Sequence, residues 1–417
     1  MAPHSAIGDT THLLRWRRVR EFAVPPSMIR TATARRESGD WAGACAAANV
    51  EVDLDLRGAA HRYGGELVGA LRDDLRHLAP DLLRWHLPRV APDGLIRPGL
   101  TIGLARYGSS RAPVQLVVRT PPAWADAGQR VSLALWDPGL REAGGHPHPR
   151  PSRRHRLDLH RHLWDARRAG ELATRAGGEP RWAAEAAILL RADGLPDGPV
   201  AIRTGARRHL VLMGRQIAER RTVKGLPVLP DAAVRTPPDR DLLDAGLVTP
   251  DLLHPLVAAA LAPGFRPTSA PRATRGADEP QLVDCRGATH RIGLVDGRLV
   301  PLDHDPVEIR REELLAALTG TPLPCLRLIE QAHRAPDCLE GVAERLRHGD
   351  TAGALAVVEA LLGPAAVLRD GPLREELASA AERRIAYGMF RAGLAEPGRS
   401  RELLRRPDRR RGRRAPR

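Results

Sequence analysis

Lysine is almost missing from this chain: of 65 basic residues only Lys224 is not an arginine. That scarcity excludes whole chemistries. A phosphate-cradling P-loop needs Gly-Lys ahead of Ser or Thr, so that the ammonium meets the terminal phosphates, but Lys224 follows Val223 and precedes Gly225. Schiff-base chemistry is confined to that one residue, which sits in the polar run 219–224. The other signatures of nucleotide and nucleophile chemistry are missing too. There is no His-Arg-Asp loop and no Asp-Phe-Gly, as a protein kinase requires. No two glycines are separated by a single residue, so the Gly-x-Gly of a dinucleotide turn does not occur. Gly-x-Ser-x-Gly and His-Glu-x-x-His are also absent.

Cysteine is sparse: Cys45, Cys285, Cys325 and Cys338, with no Cys-x-x-Cys. Four thiols so spaced make neither a disulfide scaffold nor a standard zinc site. Cys338, just after Pro336, is placed by the pattern in the first turn of a helix, where the dipole lowers a thiol pKa. With no base beside it, packing is the preferred role. No apolar stretch approaches the roughly 20 residues that span a bilayer, and the first residues lack the apolar core of a secretory signal. The expectation is a cytoplasmic protein with free thiols and no membrane span.

Aromatics make up only 3% of the chain, and all seven tryptophans, Trp16 to Trp182, precede residue 183. The first half therefore has its own core, built differently from the second. A length of 417 residues exceeds the roughly 250–300 at which one core stops growing, so two or three domains are expected. Glycine and proline, 39 and 37 residues, exceed the ordinary share but stay below the roughly 25–30% that marks disorder.

The formal charge is +15, yet residues 398–417 alone carry ten arginines against Glu402 and Asp408. Most of the excess thus sits in one tail, and an arginine-only skew reads as codon bias. Residues Arg405, Arg406, Arg409, Arg410, Arg411, Arg413 and Arg414 are a polycation suited to phosphate backbones or anionic surfaces. Without aromatics to stack on bases, any nucleic-acid binding through them is nonspecific.

The breaker-rich stretch 262–280 reads as the linker between two bodies. The map is an N-terminal α+β region over 1–262 with a loop break at 143–154, a linker over 263–280, a β-meander plus helices over 281–397, and a disordered tail over 398–417. In the first region Leu67, Val68, Leu71, Leu75 and Leu78 recur at helical spacing, and Pro80 restarts or kinks the helix. Runs at 100–107, 114–120 and 131–136, joined by turn residues, predict an antiparallel meander. A further strand pair is expected at 186–191 and 200–214, and Thr249-Pro250-Asp251 marks a helix start capped by Thr249.

After the linker, runs at 281–286, 289–295 and 298–303 alternate in strand fashion, with Asp296-Gly297 as a hairpin turn. Asp305-Pro306-Val307-Glu308 is a capping-box pattern, followed by four or five helices. One internal echo stands out. Ser38-Gly39-Asp40-Trp41-Ala42-Gly43-Ala44 resembles His348-Gly349-Asp350-Thr351-Ala352-Gly353-Ala354. Each has the makings of a helical hairpin of the tetratricopeptide kind: Gly ends one helix, Asp caps the next, and small residues allow close approach. Copies 310 residues apart do not make an array, and in a chain so rich in Ala and Gly compositional coincidence is the preferred reading of the echo.

The densest polar grouping is His146, His148, His155, Asp158, His160, His162 and Asp165. On a helix, His155, Asp158, His162 and Asp165 share one stripe and have the donor types to hold a divalent metal whose bound water becomes a nucleophile. The preferred alternative is a solvated helix face, since five nearby arginines repel a cation. Asp303-His304-Asp305 offers carboxylates beside an imidazole, but helix capping already explains Asp305. The overall expectation is an α+β protein with no required cofactor, non-enzymatic or regulatory, whose helical hairpins bind a protein partner. The rivals are a metal-dependent hydrolase centred on 155–165 and a nucleic-acid-associated protein acting through the arginine tail.

Overall fold

The computed structural model describes residues 4–108, 113–140, 146–175, 179–205, 208–220, 222–265, 281–285, 288–295, 298–301, 303, 305–319, 339–362 and 370–394. The chain is an α+β protein that divides into two compact units. One comprises Met1–Thr268 with Phe390–Pro397, the other Ser269–Met389 with Gly398–Arg417. Most of the stretch read as a linker, residues 266–280, lies outside the described residues, as do the arginine tail and Cys338.

The first unit opens with helices α1 (His4–Phe22), α2 (Pro26–Glu37), α3 (Trp41–Ala47), α4 (Leu56–Tyr63), α5 (Gly65–His77) and α6 (Pro80–His86). Val68, Leu71 and Leu75 form the buried face of α5, as their spacing predicts. Pro80 restarts the helix: its ring suits the first turn of α6 but cannot continue α5. The short extended gap lets the Ala79 amide donate to the Trp164 carbonyl at 2.8 Å.

Strands β1 (Val50–Asp53), β2 (Thr101–Tyr107), β3 (Val114–Arg119) and β4 (Val131–Trp136) form one sheet in the order β1-β4-β3-β2. The three-strand antiparallel meander is present, and β1 adds a fourth strand running parallel to β4, with Val50 opposite Val131. The sheet is therefore mixed rather than purely antiparallel. Four residues are too few to show a period, and the partner strand lies some eighty positions on. Both sheet faces are covered, so Ile102, Leu104, Leu116, Val117, Val118 and Leu133 are all fully buried. Trp85 and Trp164 belong to the same core.

A second, smaller core follows. Helix α7 (Leu172–Arg175) leads to α8 (Trp182–Ala192) and to an antiparallel sheet of β5 (Val200–Arg203), β6 (His209–Met213) and β7 (Gln216–Arg220). The expected strand at 186–191 is instead the C-terminal part of α8. A short apolar run does not reveal its period, and the choice is made by Trp182, Ala186, Leu189 and Leu190, which turn one helical face into this core.

Helices α9 (Asp231–Val234), α10 (Pro238–Asp244) and α11 (Pro255–Leu261) complete the unit. Thr249 caps no helix by its side chain. Pro250–Leu252 form a single 3-10 turn, and α11 starts after His254, whose ring accepts the Leu256 amide at 3.2 Å. Helices α10 and α11 are tied to the N-terminal helices by a buried polar belt. Arg20 of α1 holds Asp239 at 2.6 Å and lies over the Trp85 ring, 4.3 Å from its centroid.

The second unit begins with an antiparallel meander of β8 (Gln281–Cys285), β9 (Ala288–Val295) and β10 (Arg298–Pro301). Asp296 and Gly297 lie outside the described residues, and the strands on either side pair in register from Val295 and Arg298. Asp305 caps α12 (Pro306–Thr319) by accepting the Val307 amide at 2.8 Å, and Asp303 is held by Arg291. Helices α13 (Leu339–His348), α14 (Thr351–Leu362) and α15 (Pro372–Arg391) supply a core of Val342, Leu346, Ala354, Val358 and Leu373.

The internal echo is a shared local structure. Gly39 and Gly349 take φ of 81° and 89°, a region closed to most side chains. Asp40 and Asp350 accept the amides of Gly43 and Gly353 at 2.8 and 2.9 Å. The arginine five residues earlier, Arg35 or Arg345, binds the same carboxylate at 3.0 or 2.8 Å.

Candidate ligand sites on the two sides of one segment

The histidine-rich segment is not a helix. Its start lies along the free edge of β2: the Ser152 amide donates to the Thr101 carbonyl, and the Leu157 and Asp158 amides both donate to the Gly103 carbonyl. A β-bulge at Gly103 turns that carbonyl outward. Amides committed to a sheet edge cannot close helical turns, so only 3-10 turns follow, at Arg161–Leu163 and Ala166–Glu171.

The stripe expected of His155, Asp158, His162 and Asp165 therefore does not form. Asp158 is held by Arg156 and Arg106. Asp165 is fully buried, accepts the Arg167 amide and pairs with the Arg167 guanidinium. Among the described residues no three His, Cys, Asp or Glu side chains are placed to hold a metal ion. The solvated face does not form either, since His155, His160, His162 and Asp165 are all buried.

The segment instead separates two cavities. The smaller, about 220 Å³, has an apolar wall that includes Trp16, Ile102, Leu157 and Leu172. Its polar groups are the imidazoles of His86, His155 and His162 and the guanidiniums of Arg89, Arg97, Arg154, Arg156, Arg175 and Arg235. Asp231, the carboxylate on this wall, is taken by Arg154 at 2.6 Å. Arg175 is taken by Glu185, which receives it at 2.6 Å and has His160 at 3.3 Å. Among the described residues neither Arg97 nor Arg235 has a carboxylate partner, so the wall carries unspent positive charge.

The three imidazoles are neutral. Burial pushes His86 and His155 down to about 4, with the charge of Asp239 or Asp231 opposing it only partly. Burial, reinforced by His160 and Arg175, takes His162 down to about 2. Burial pushes the Glu185 carboxyl the other way, but His160 at 3.3 Å and the hydrogen bonds from Arg175 outweigh it and bring that group to about 2.

The tautomer of His86 follows from its neighbours. Nδ1 faces the Leu82 and Leu163 carbonyls at 3.1 and 3.2 Å, so it carries the proton and donates. Nε2 is left as an acceptor with no partner among the described residues, and His162 Nδ1 is likewise unpartnered among them. Leaving such groups unsatisfied costs roughly 1–3 kcal/mol each. A convergence of buried, unpartnered polar groups with perturbed titration inside an apolar cavity is the usual mark of a ligand site.

The larger cavity, about 460 Å³, lies on the other side. Arg106 and Arg156 form a closed ring with Asp158 and Asp193, joined by four ion pairs of 2.8–3.0 Å. Arg156 lines both cavities. The sequence singled out the dividing segment through its histidines. His86, Arg97, Gln115, Trp136, Glu185 and Arg235, contributed by other elements, gave no signal of their own, because one arginine among so many has no contrast. No family model matches the chain, and neither the curated proteins nor the solved structures contain a match to it.

Proposed function

We propose that this chain is a regulatory binding protein whose first unit takes a small anionic molecule in the 220 Å³ cavity. The observation that carries this reading is the pairing, on one wall, of unspent arginine charge (Arg97 and Arg235) with an unpartnered acceptor at His86 Nε2. Such a set fits a carboxylate or phosphate that also bears a hydroxyl or amide donor, with a small apolar body against Trp16 and Ile102. A planar guanidinium suits either oxyanion through paired N–H donors. Isothermal titration against a panel of small hydroxy-acids and phosphate esters tests it. At least one should bind, Arg97→Ala should weaken it about tenfold, the loss of one charge-assisted pair, and His86→Leu should favour ligands lacking the donor. A panel without a binder, or binding indifferent to Arg97, ends the reading.

A second reading concerns the second unit, whose helices we propose to engage a protein partner. Val307, Leu314, Leu315 and Leu318 are all exposed on α12. Leu314 and Leu318 lie one turn apart on the same side of the helix, an exposed apolar pair of the kind that seats in a partner's groove. Placing charge on this pair (Leu314→Glu with Leu318→Glu) should abolish co-purification of any partner from native lysate while leaving the circular dichroism unchanged. The arginine tail is proposed, separately, to add nonspecific affinity for nucleic acid.

A further inference from the structure

We infer that the larger cavity is a second, independent site, built for an oxyanion carried on a flat apolar body. Three observations lead there. The first is charge: the ring of Arg106, Arg156, Asp158 and Asp193 is internally neutral and forms a rigid floor. Arg150 and Arg153 stand exposed on the same cavity and have no carboxylate partner among the described residues. They are the groups left to meet an anion, and their guanidiniums offer paired donors to a phosphate or carboxylate.

The second observation is Gln115. Its side chain lines the cavity, is 8% exposed and makes no hydrogen bond among the described residues. It is also hemmed in. A Cβ built on Gly103 would come within 2.8 Å of its Oε1, so the glycine at the β2 bulge leaves the room this amide occupies. The carboxamide has no partner among the described residues, so a ligand polar atom can take up its bonding in place of water.

The third is the apolar part of the lining, which Trp136, Leu189, Leu195, Pro227 and Val228 supply. An indole in the lining favours a planar aromatic body, since aromatic pairs stack offset or meet edge to face. At about 460 Å³ the space falls in the range of small-molecule sites and is far larger than a bare anion needs.

Titration calorimetry on the full chain, with phenyl phosphate as the probe and inorganic phosphate and benzoate as comparators, tests the assignment. Phenyl phosphate or benzoate should bind about tenfold more tightly than inorganic phosphate, the gain of about 1.4 kcal/mol expected of a seated ring. Whichever of the two binds better names the oxyanion. Arg150→Ala with Arg153→Ala should cost tenfold or more, while these exposed changes leave the thermal midpoint where it was. Trp136→Ala should erase the preference over inorganic phosphate, and Gln115→Leu should weaken binding severalfold. Arg97→Ala, in the smaller cavity, should leave the titration unchanged, which separates this site from the one proposed above. The inference is overturned if neither aryl probe binds, if the Arg150/Arg153 double variant binds as well as the parent, or if Arg97→Ala alone removes the binding.

Discussion

His254 and Asp81 meet at 2.9 Å in the interior of the first unit, 173 residues apart in sequence and each with a side chain 1% exposed. The Leu256 amide donates to His254 Nδ1, which places the proton on Nε2, where it is given to Asp81 Oδ2. Asp81 Oδ1 has no partner among the described residues, so the carboxylate's bonding rests on the one bond from His254. The pair locks α11 onto α6, and the His254 ring also packs edge-on against Trp85 at 5.8 Å. His254→Leu strands a buried carboxylate and should cost about 3–5 kcal/mol in urea unfolding. Replacing both partners, Asp81→Leu with His254→Leu, should recover part of that loss, because an apolar pair leaves nothing unsatisfied.

Acid should weaken the first unit well before its carboxylates titrate. Buried His86 and His155 stay neutral down to about 4 and His162 to about 2, whereas the unfolded chain protonates its histidines near 6.5. The unfolded state therefore binds more protons below that point. The stability contributed by the neutral rings is complete above pH 6.5 and is lost as pH falls from there through 4, by up to about 1.4 kcal/mol per unit for each ring. Glu185, brought down to about 2, adds a loss of the same sign below about pH 4.5. Urea midpoints measured from pH 7.5 to 4.5 should fall steeply below 6.5, and His155→Gln should flatten that slope. A midpoint level across the window would show that the imidazoles protonate without unfolding the site.

The repeated helical hairpin makes a prediction in which one substitution changes sign. Asp40→Ala should cost about 1 kcal/mol through the lost cap, and Asp350→Ala the same in the second unit. A Cβ on Gly43 would overlap the Asp40 carboxylate, so Gly43→Ala expels the cap and destabilises. In an Asp40→Ala background the obstacle is gone, and Gly43→Ala should stabilise by roughly 0.5–1 kcal/mol through helix propensity. Equal effects of Gly43→Ala in the two backgrounds would mean that its cost has another source.

Deleting residues 398–417 removes ten arginines. If the tail contributes to nucleic-acid binding, the slope of log affinity against log salt should become shallower by several units, because fewer counterions are released. An unchanged slope in filter-binding or fluorescence titration would assign any affinity to the folded units.

Much of the local structure was legible in the residues themselves. Asp40, Asp305 and Asp350 announce helix starts, because a short carboxylate one position ahead of a helix has free amides within reach. The three strands of the first meander and the three of the second stood out through their turns. The errors arose where local chemistry is ambiguous. Residues 186–191 are apolar in a way that suits strand or helix, and Thr249 has cap chemistry but is preempted by His254 one turn later. Residues 155–165 carry metal-ligand side chains, yet their amides are captured by the carbonyls of β2.

What the sequence by itself determined was the set of turns, caps and strand runs, and the exclusion of the lysine- and glycine-dependent chemistries, since these depend on neighbours within a few bonds. What only the tertiary structure decided was the parallel docking of β1 on β4, the buried belt from Arg20 to Asp239, and the two cavities with their neutral imidazoles and unspent arginines. The physical reason is the same for each. Burial, tautomer and unspent charge are properties of which distant segments share an interior, and the side chains that set them, from Trp16 to Arg235, come together only when the chain has packed.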